Sequence, residues 1–427
     1  MKMAPLRICL DARLISGKGG VEQVIIGLAS GLSNLTDGDE EYLFWTHENA
    51  DEWLRPYVHG PCRILAGPSD GPRDRAGTWL SEHAPRLRSA YHKLKYAYGP
   101  RSVKLDNSDG TIERAQIDVM HFTKPGAFLT DIPSIYQPHD LQHLHLPQFF
   151  TPWHRMDREF RYRAFCNQAR MVVAMSPWGK RDLVQRYGLP PEKVSVIPWG
   201  PVTAAYPNPA NSDLEAAREK FRLPGEFVFY PAVTWQHKNH LTLLSALASL
   251  RDKYHLSVQL ICSGQINGFY PKITKHITDL GLNDQVRFLG FVSPLELQCL
   301  YQKCRCVIFP TIFEGFGMPL MEAFLAGAPA ACSNVTCLPE LAGDAALLFD
   351  PGRPSEVAEA IHRLWTDRAL RATLADRGRR NVSRFTWERT ARIFRAHYRR
   401  LANRTVSEED HALLDGSQDS YCLMTQV

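Results

Sequence analysis

The chain has 427 residues, 44% of them hydrophobic and 22% charged, with 50 Lys and Arg against 45 Asp and Glu. That length exceeds what one hydrophobic core serves and suits two domains, and the composition excludes a disordered or fibrous protein. A net charge of +5 is too dilute for a dedicated nucleic-acid binder, and the ten cysteines form no Cys-x-x-Cys pair that would favour zinc or a disulfide framework.

From the N-terminus, Met1-Lys2-Met3-Ala4-Pro5 leads straight into a strand and lacks the apolar core of a signal peptide. No run of about 18 apolar residues reads as a membrane span. A reducing cytosol is therefore the expected compartment, and the Asn-x-Ser/Thr triplets at Asn34, Asn334, Asn381 and Asn403 then carry no glycosylation meaning. Strand-like runs alternate with helical patterns: Arg7 to Leu10, a helix near Val21 to Leu32, then Tyr42 to Trp45, Val119 to Phe122, Ser134 to Gln137, Met171 to Ala174 and Val194 to Ile197. The alternation predicts α/β architecture with a mostly parallel sheet. Between the third and fourth of these lies a basic stretch, 73–104, with Arg73, Arg86, Lys93 and Lys104 interleaved with Trp79, Tyr91 and Tyr96. It reads as a solvated helix face or as a surface for anionic lipid or a phosphorylated acceptor, since basic residues gain about 1 kcal/mol each near an anionic membrane. The second reading implies a peripheral contact with the inner membrane surface.

Periodicity lapses at Pro198-Trp199-Gly200-Pro201 and across Pro207 to Ser212, as in a linker. It resumes with Phe227 to Tyr230, a helix from about Leu241, Ser257 to Cys262, Val286 to Leu289, Val307 to Pro310 and Ala346 to Phe349. The expected domains are thus 1–200 and 201–385, each a sheet of the same class. A helix follows over 386–404, with Thr386 as N-cap and Trp387, Ala391, Phe394, Tyr398 and Leu401 at helical spacing. The polar, acidic remainder, 405–427, offers no apolar face to bury and is expected to be disordered.

The chemistry concentrates in Glu314-Gly315-Phe316-Gly317-Met318-Pro319-Leu320-Met321-Glu322-Ala323, closed by Gly327. Two glycines let the backbone approach a ligand, and Pro319 suits the first turn of a helix that starts near Met318. The unpaired N–H groups and positive dipole end of that helix form a site for a diphosphate, just beyond a strand's carboxyl end. Glu314 in the loop and Glu322 one turn into the helix can both face one ligand. This string resembles the signature of glycosyltransferase family 4, the retaining family with the GT-B fold of two facing Rossmann-like domains. Other segments are similar to the family's as well. Val194 to Gly200 resembles its crossing into the second domain, Val286 to Val292 its nucleobase-side strand and loop, and Tyr230 to His240 the segment whose lysine, here Lys238, contacts the donor diphosphate. In the first half, Gly17-Lys18-Gly19-Gly20 lacks the third glycine of a dinucleotide fingerprint, since Glu22 stands there. It resembles the family's loop facing the donor, and His139-Asp140-Leu141 the His-Asp segment whose histidine reaches the transferred sugar.

The resemblance implies transfer of a hexose-type sugar from a nucleoside diphosphate to an acceptor hydroxyl, with retention. Lys238, the amides from Gly315 to Leu320 and the Gly19-Gly20 loop would take the leaving group's charge, without a metal or other cofactor. Glu322 would accept bonds from ribose hydroxyls, Glu314 would hold sugar hydroxyls, and His139 would orient the sugar, making His139, Glu314 and Lys238 the candidate catalytic set. The helix 386–404 would return to the first domain. The partners implied are a nucleotide sugar and a glycan or lipid-linked acceptor, and the wording around Lys238 resembles members that build bacterial surface polysaccharides, often with mannose. A sugar-nucleotide epimerase, a glycosyl phosphorylase or a catalytically silent binding or scaffold protein could share the architecture. One departure stands out: where many members carry an arginine five residues before the lysine, this chain has Val233, leaving Lys238 alone or aided by His237 or His240.

Overall fold

The computed structural model describes residues 4–14, 19–67, 103–201 and 207–419. Residues 73–102 of the basic stretch, with Gly17 and Lys18, lie outside that set. The chain divides into two compact units, one of Met1–Val202 with Thr386–Val427, the other of Thr203–Phe385.

Among the described residues the first unit has a seven-stranded parallel sheet, β1 (Leu6–Asp11), β2 (Glu40–Thr46), β3 (Cys62–Ala66), β4 (Val119–Phe122), β5 (Ser134–Tyr136), β6 (Met171–Ala174) and β7 (Val194–Val196), in the order β3-β2-β1-β4-β5-β6-β7. Apart from β3 at the edge, its strands are short and almost wholly buried, as in a parallel sheet covered on both faces. The helix Gly20–Ser33 covers one face together with Trp387–Leu401. These two helices approach closely because Gly27 and Gly31 have no side chain: a Cβ on Gly27 would stand 1.9 Å from the Trp387 ring. Thr386 caps the later helix by accepting from the Arg389 amide, and Thr390 Oγ1 donates to the Pro198 carbonyl at 2.8 Å. Phe394, Ala396 and Tyr398 are fully buried, and the Tyr398 hydroxyl meets His121 Nδ1 at 2.7 Å.

The expectation of disorder over 405–427 does not hold for its first part. A helix runs over Glu408–Asp419, and Asp410 is 1% exposed. Arg399 donates to Asp410 at 2.8 Å and to buried Glu40 of β2 at 2.6 Å. The anchor is a carboxylate bridged to the sheet by one guanidinium, with Leu414 buried beside it. A search for an apolar stripe misses such an anchor.

The second unit carries β8 (Val228–Pro231), β9 (Leu260–Ser263), β10 (Val286–Phe288), β11 (Cys306–Phe309), β12 (Ala330–Ser333) and β13 (Ala346–Phe349), all parallel, in the order β10-β9-β8-β11-β12-β13. Strand order reverses between β8 and β11, and between β1 and β4 in the first unit. Loops leaving the carboxyl ends at such a switch point part to opposite faces and leave a crevice where open α/β sheets bind ligands. Gly19 and Gly20 follow β1, Lys238 follows β8 and Glu314 follows β11, at these ends, whereas His139 follows β5, the neighbour of β4.

Candidate functional site

In the second unit, the loop after β8 ends in a short 3-10 turn, Gln236–Lys238, and the loop after β11 carries Glu314. Because β8 and β11 are neighbours, the two loops touch. Ile312 N donates to the His237 carbonyl at 2.9 Å, and Lys238 Nζ meets Glu314 Oε1 at 2.5 Å. Asn239 fixes the turn. It sits in the left-handed region, φ 59°, and its side-chain amide donates to the carbonyls of Pro310 (3.0 Å) and Pro351 (2.8 Å). The Tyr230 hydroxyl secures the Lys238 carbonyl at 2.6 Å. Spacing could flag Lys238 and Asn239 together, but only the structure shows that Asn239 works inward, as a brace.

The helix Met318–Leu325 begins where expected, with Gly317 as N-cap at φ 96° and Pro319 in its first turn. Glycine is required at 317 twice over: the conformation is left-handed, and a Cβ would stand 2.7 Å from Leu338 Cδ2. Among the described residues the amides of Gly315, Gly317 and Met318 have no hydrogen-bond partner. With the helix dipole they form a donor cluster for an anion. Glu322 is buried within the helix, its Oε2 accepting from the Tyr301 hydroxyl at 2.9 Å. The same hydroxyl lies 3.1 Å from the Pro319 carbonyl. Tyr301 lies outside every motif in the sequence, as do Thr336 and Cys337, which back the loop. Thr336 Oγ1 accepts from Glu314 N at 3.3 Å, and Cys337 Sγ lies 3.3 Å from the carbonyl oxygens of both Glu314 and Phe316.

Of the two histidines flanking the lysine, His240 does not fit the picture of a spare cation. His240 is buried against Tyr230 and Phe288, and burial, reinforced by Lys238 and His237, holds its pKa down to about 3. It is neutral at physiological pH and cannot replace an arginine. Val233, at the arginine's place, is half-buried.

His139, Gly19 and Gly20 belong to the first unit. His139 follows β5 with φ 67°, a conformation few non-glycine residues adopt. Its Nε2 lies 2.9 Å from the Thr123 carbonyl, an acceptor, so Nε2 carries the proton and Nδ1 keeps the lone pair. Burial lowers the pKa, opposed by that hydrogen bond, and the ring stands edge-on to Trp199. Thr123 Oγ1 in turn donates to the Asp11 carbonyl at 2.5 Å. Asp11 takes both oxygens to the Arg13 guanidinium (3.0 and 2.9 Å) and lies 3.2 Å from Lys124 Nζ. Burial raises the Asp11 pKa, but Lys124 and Arg13 outweigh it and hold the carboxylate ionised. Gly19 is extended at φ 171°, and among the described residues nothing lies within 4 Å of where a Cβ on Gly19 or Gly20 would stand.

Residues 212–381 match the family Glycosyl transferases group 1, and residues 18–203 match Glycosyltransferase Family 4. The chain is 26% identical over 268 residues to the O-antigen chain mannosyltransferase B of Escherichia coli, an alignment covering 60% of this chain and 70% of the relative. Against the Serotype-specific mannosyltransferase WbdA of the same organism it is 27% identical over 190 residues, 44% of this chain and only 23% of that protein. Anabaena HepE, solved with UDP and glucose, superposes with a TM-score of 0.65 at 20% identity, over 92% of this chain and 99% of HepE. Among the described residues no helix is long and apolar enough to cross a membrane. With a family match on each half and a solved structure aligned over nearly its whole length, the chain is a family 4, group 1 glycosyltransferase with the GT-B fold.

Proposed function

We propose that the protein moves a hexose, mannose by the naming of its relatives, from a nucleoside-diphosphate sugar to a hydroxyl of a glycan or lipid-linked acceptor, with retention, in surface polysaccharide assembly. The observation that carries this reading is the Lys238–Glu314 pair beside the unused amides of Gly315, Gly317 and Met318. A diphosphate at the helix N-terminus would draw Lys238 Nζ onto phosphate oxygens and release Glu314 to accept from sugar hydroxyls. Glu322, steadied by Tyr301, would take the ribose, and neutral His139 would accept from a sugar hydroxyl through Nδ1. As the bond from the anomeric carbon to the phosphate oxygen breaks and one to the acceptor oxygen forms on the same face, the acceptor's proton leaves with the nucleoside diphosphate. The charge growing on that leaving group falls on Lys238 and the amides, a pre-aimed arrangement of the kind that accounts for much of enzymatic rate enhancement. This route calls for no divalent ion. A cytoplasmic site of action fits a soluble nucleotide-sugar donor.

The test is a binding panel of common nucleoside diphosphates and their sugars, followed by product analysis with the preferred donor. A new glycosidic product plus free nucleoside diphosphate, with chelator leaving the rate unchanged, supports the reading. Epimerised donor, release of a sugar phosphate, or binding without turnover on a broad acceptor set would overturn it in favour of an epimerase, a phosphorylase or a silent binding protein.

A further inference from the structure

The loop Glu314–Gly317 is held from behind by a segment with no motif of its own. Thr336, a β-branched residue, is kept in the left-handed region at φ 53°, where its Oγ1 receives the Glu314 amide at 3.3 Å. The next side chain, Cys337, is fully buried, with its thiol 3.3 Å from the carbonyl oxygens of Glu314 and of Phe316. One S–H is shared between two acceptors. Among the described residues no peptide bond is cis, and across a planar trans peptide the C=O of one residue and the N–H of the next point in opposite directions. Holding the Glu314 and Phe316 carbonyls toward Cys337 therefore turns the amides of Gly315 and Gly317 the other way. Those are two of the amides without a partner. Leu338 and Leu341 close the space behind Gly317, so the loop cannot relax backward.

We infer that Thr336 and Cys337 are positioning residues for the donor diphosphate: they set the direction of the Gly315 and Gly317 amides and so give the site its affinity for phosphate rather than for the nucleoside. Burial, with Glu314 nearby, raises the thiol's pKa well above its ordinary value, so it stays a protonated donor across the working range. The strained φ of Thr336 fits this role, because strain persists where surrounding structure over-determines it, and such sites cluster at ligand clamps.

The inference rests on the donor-site reading above, and the experiment separates the two. Affinities of the preferred nucleoside diphosphate and of its bare nucleoside are measured by calorimetry for the wild type and for Cys337→Ala, Cys337→Ser and Thr336→Gly, with a melting temperature for each. In Cys337→Ala the diphosphate affinity should fall about tenfold, the size expected for a charge-assisted hydrogen bond, while nucleoside affinity holds. Cys337→Ser should recover much of the loss, as a hydroxyl can donate to the same carbonyls. Thr336→Gly should also weaken diphosphate binding while its melting temperature stays level or rises, since glycine adopts this φ freely. A purely structural role predicts the reverse for Thr336→Gly, lost stability with intact selectivity for the diphosphate. Wild-type selectivity in a folded Cys337→Ala protein would overturn the inference, as would equal losses for nucleoside and diphosphate. Should Cys337→Ala not fold, Cys337→Ser and Thr336→Gly carry the same comparison. If the wild type itself bound nucleoside and diphosphate alike, the donor-site reading would fall instead.

Discussion

The two units use the same sheet edge for opposite electrostatic ends. At the switch point of the first, Asp11, Arg13 and Lys124 satisfy one another, and Arg13 lies flat over the Trp45 ring at 3.6 Å. Charge there goes to fixing backbone, and burial lowers the pKa of His139, which hangs from the Thr123 carbonyl. At the switch point of the second, Lys238 pairs with the Glu314 carboxylate, and among the described residues three amides have no partner. On the proposed reading, the anion is met by the second unit. The contrast shows how two sheets of one topology can differ in where each leaves polar groups unpaired.

The sharpest way to break that comparison is to remove the second unit's cation, Lys238. Lys238→Ala should lower turnover about 100-fold or more, given the 3 to 4 kcal/mol that loss of a donor to a transition-state charge costs. Lys238→Arg should restore part of it, since a planar fork and a point charge differ in reach. Because His240 cannot ionise near neutrality, the residual rate of Lys238→Ala should not depend on its titration. Near-normal turnover would mean that the diphosphate is held elsewhere.

A second test divides the second unit's own carboxylates. Glu322→Ala should weaken nucleoside diphosphate binding about tenfold, the size of a lost hydrogen bond to a charged group, whereas Glu314→Ala should leave binding in place and lower turnover. Normal nucleotide affinity in Glu322→Ala would remove the ribose assignment.

Acid should distinguish the units by stability. Burial lowers the pKa of His121 and His397 to about 3, and that of His139 and His143 in the same direction, all in the first unit. In the second unit the same is found for His240. A native pKa below the unfolded value of about 6.5 means that the native state binds fewer protons, so the stabilisation is complete above that pH and lost as pH falls, by about 1.4 kcal/mol per histidine per pH unit. Hydrogen exchange between pH 7 and 5 should show strands β1 to β7 losing protection before β8 to β13. Simultaneous loss would count against it.

The smallest expected effect concerns the C-terminal helix Glu408–Asp419. Truncation after Arg404 removes Asp410 but leaves Arg399 its bond to Glu40, so the loss should be about 1 to 2 kcal/mol, visible as a lower melting temperature with unchanged nucleotide affinity. The single change Asp410→Asn should reproduce much of it.

Periodicity and turn residues suffice to read most strands to within a residue or two, because parallel strands buried on both faces are nearly uniform apolar runs. Two escaped: β3, whose pattern is half exposed, and β12, Ala-Ala-Cys-Ser, whose small residues carry little hydrophobic signal. The site divides the same way. Residues that would touch ligand fall in one contiguous string or beside a recognisable Lys-Asn, whereas those that hold them, Tyr301, Thr336, Cys337 and Thr123, come from distant segments and act through single hydrogen bonds. No spacing rule encodes a partner that only the strand order brings near.

The discontinuity of the first unit has a consequence for synthesis. Its core is open until Trp387, Phe394 and Tyr398 arrive, yet the whole of the second unit is translated between Val202 and Thr386. At 5 to 20 residues per second that interval lasts about 10 to 40 s. The half made first is thus completed last, and the half made second can close while the first still shows the groove beside Gly27 and Gly31. Ribosome-bound chains that stop short of Thr386 should be cut readily by protease within β1 to β7 and resist it within β8 to β13.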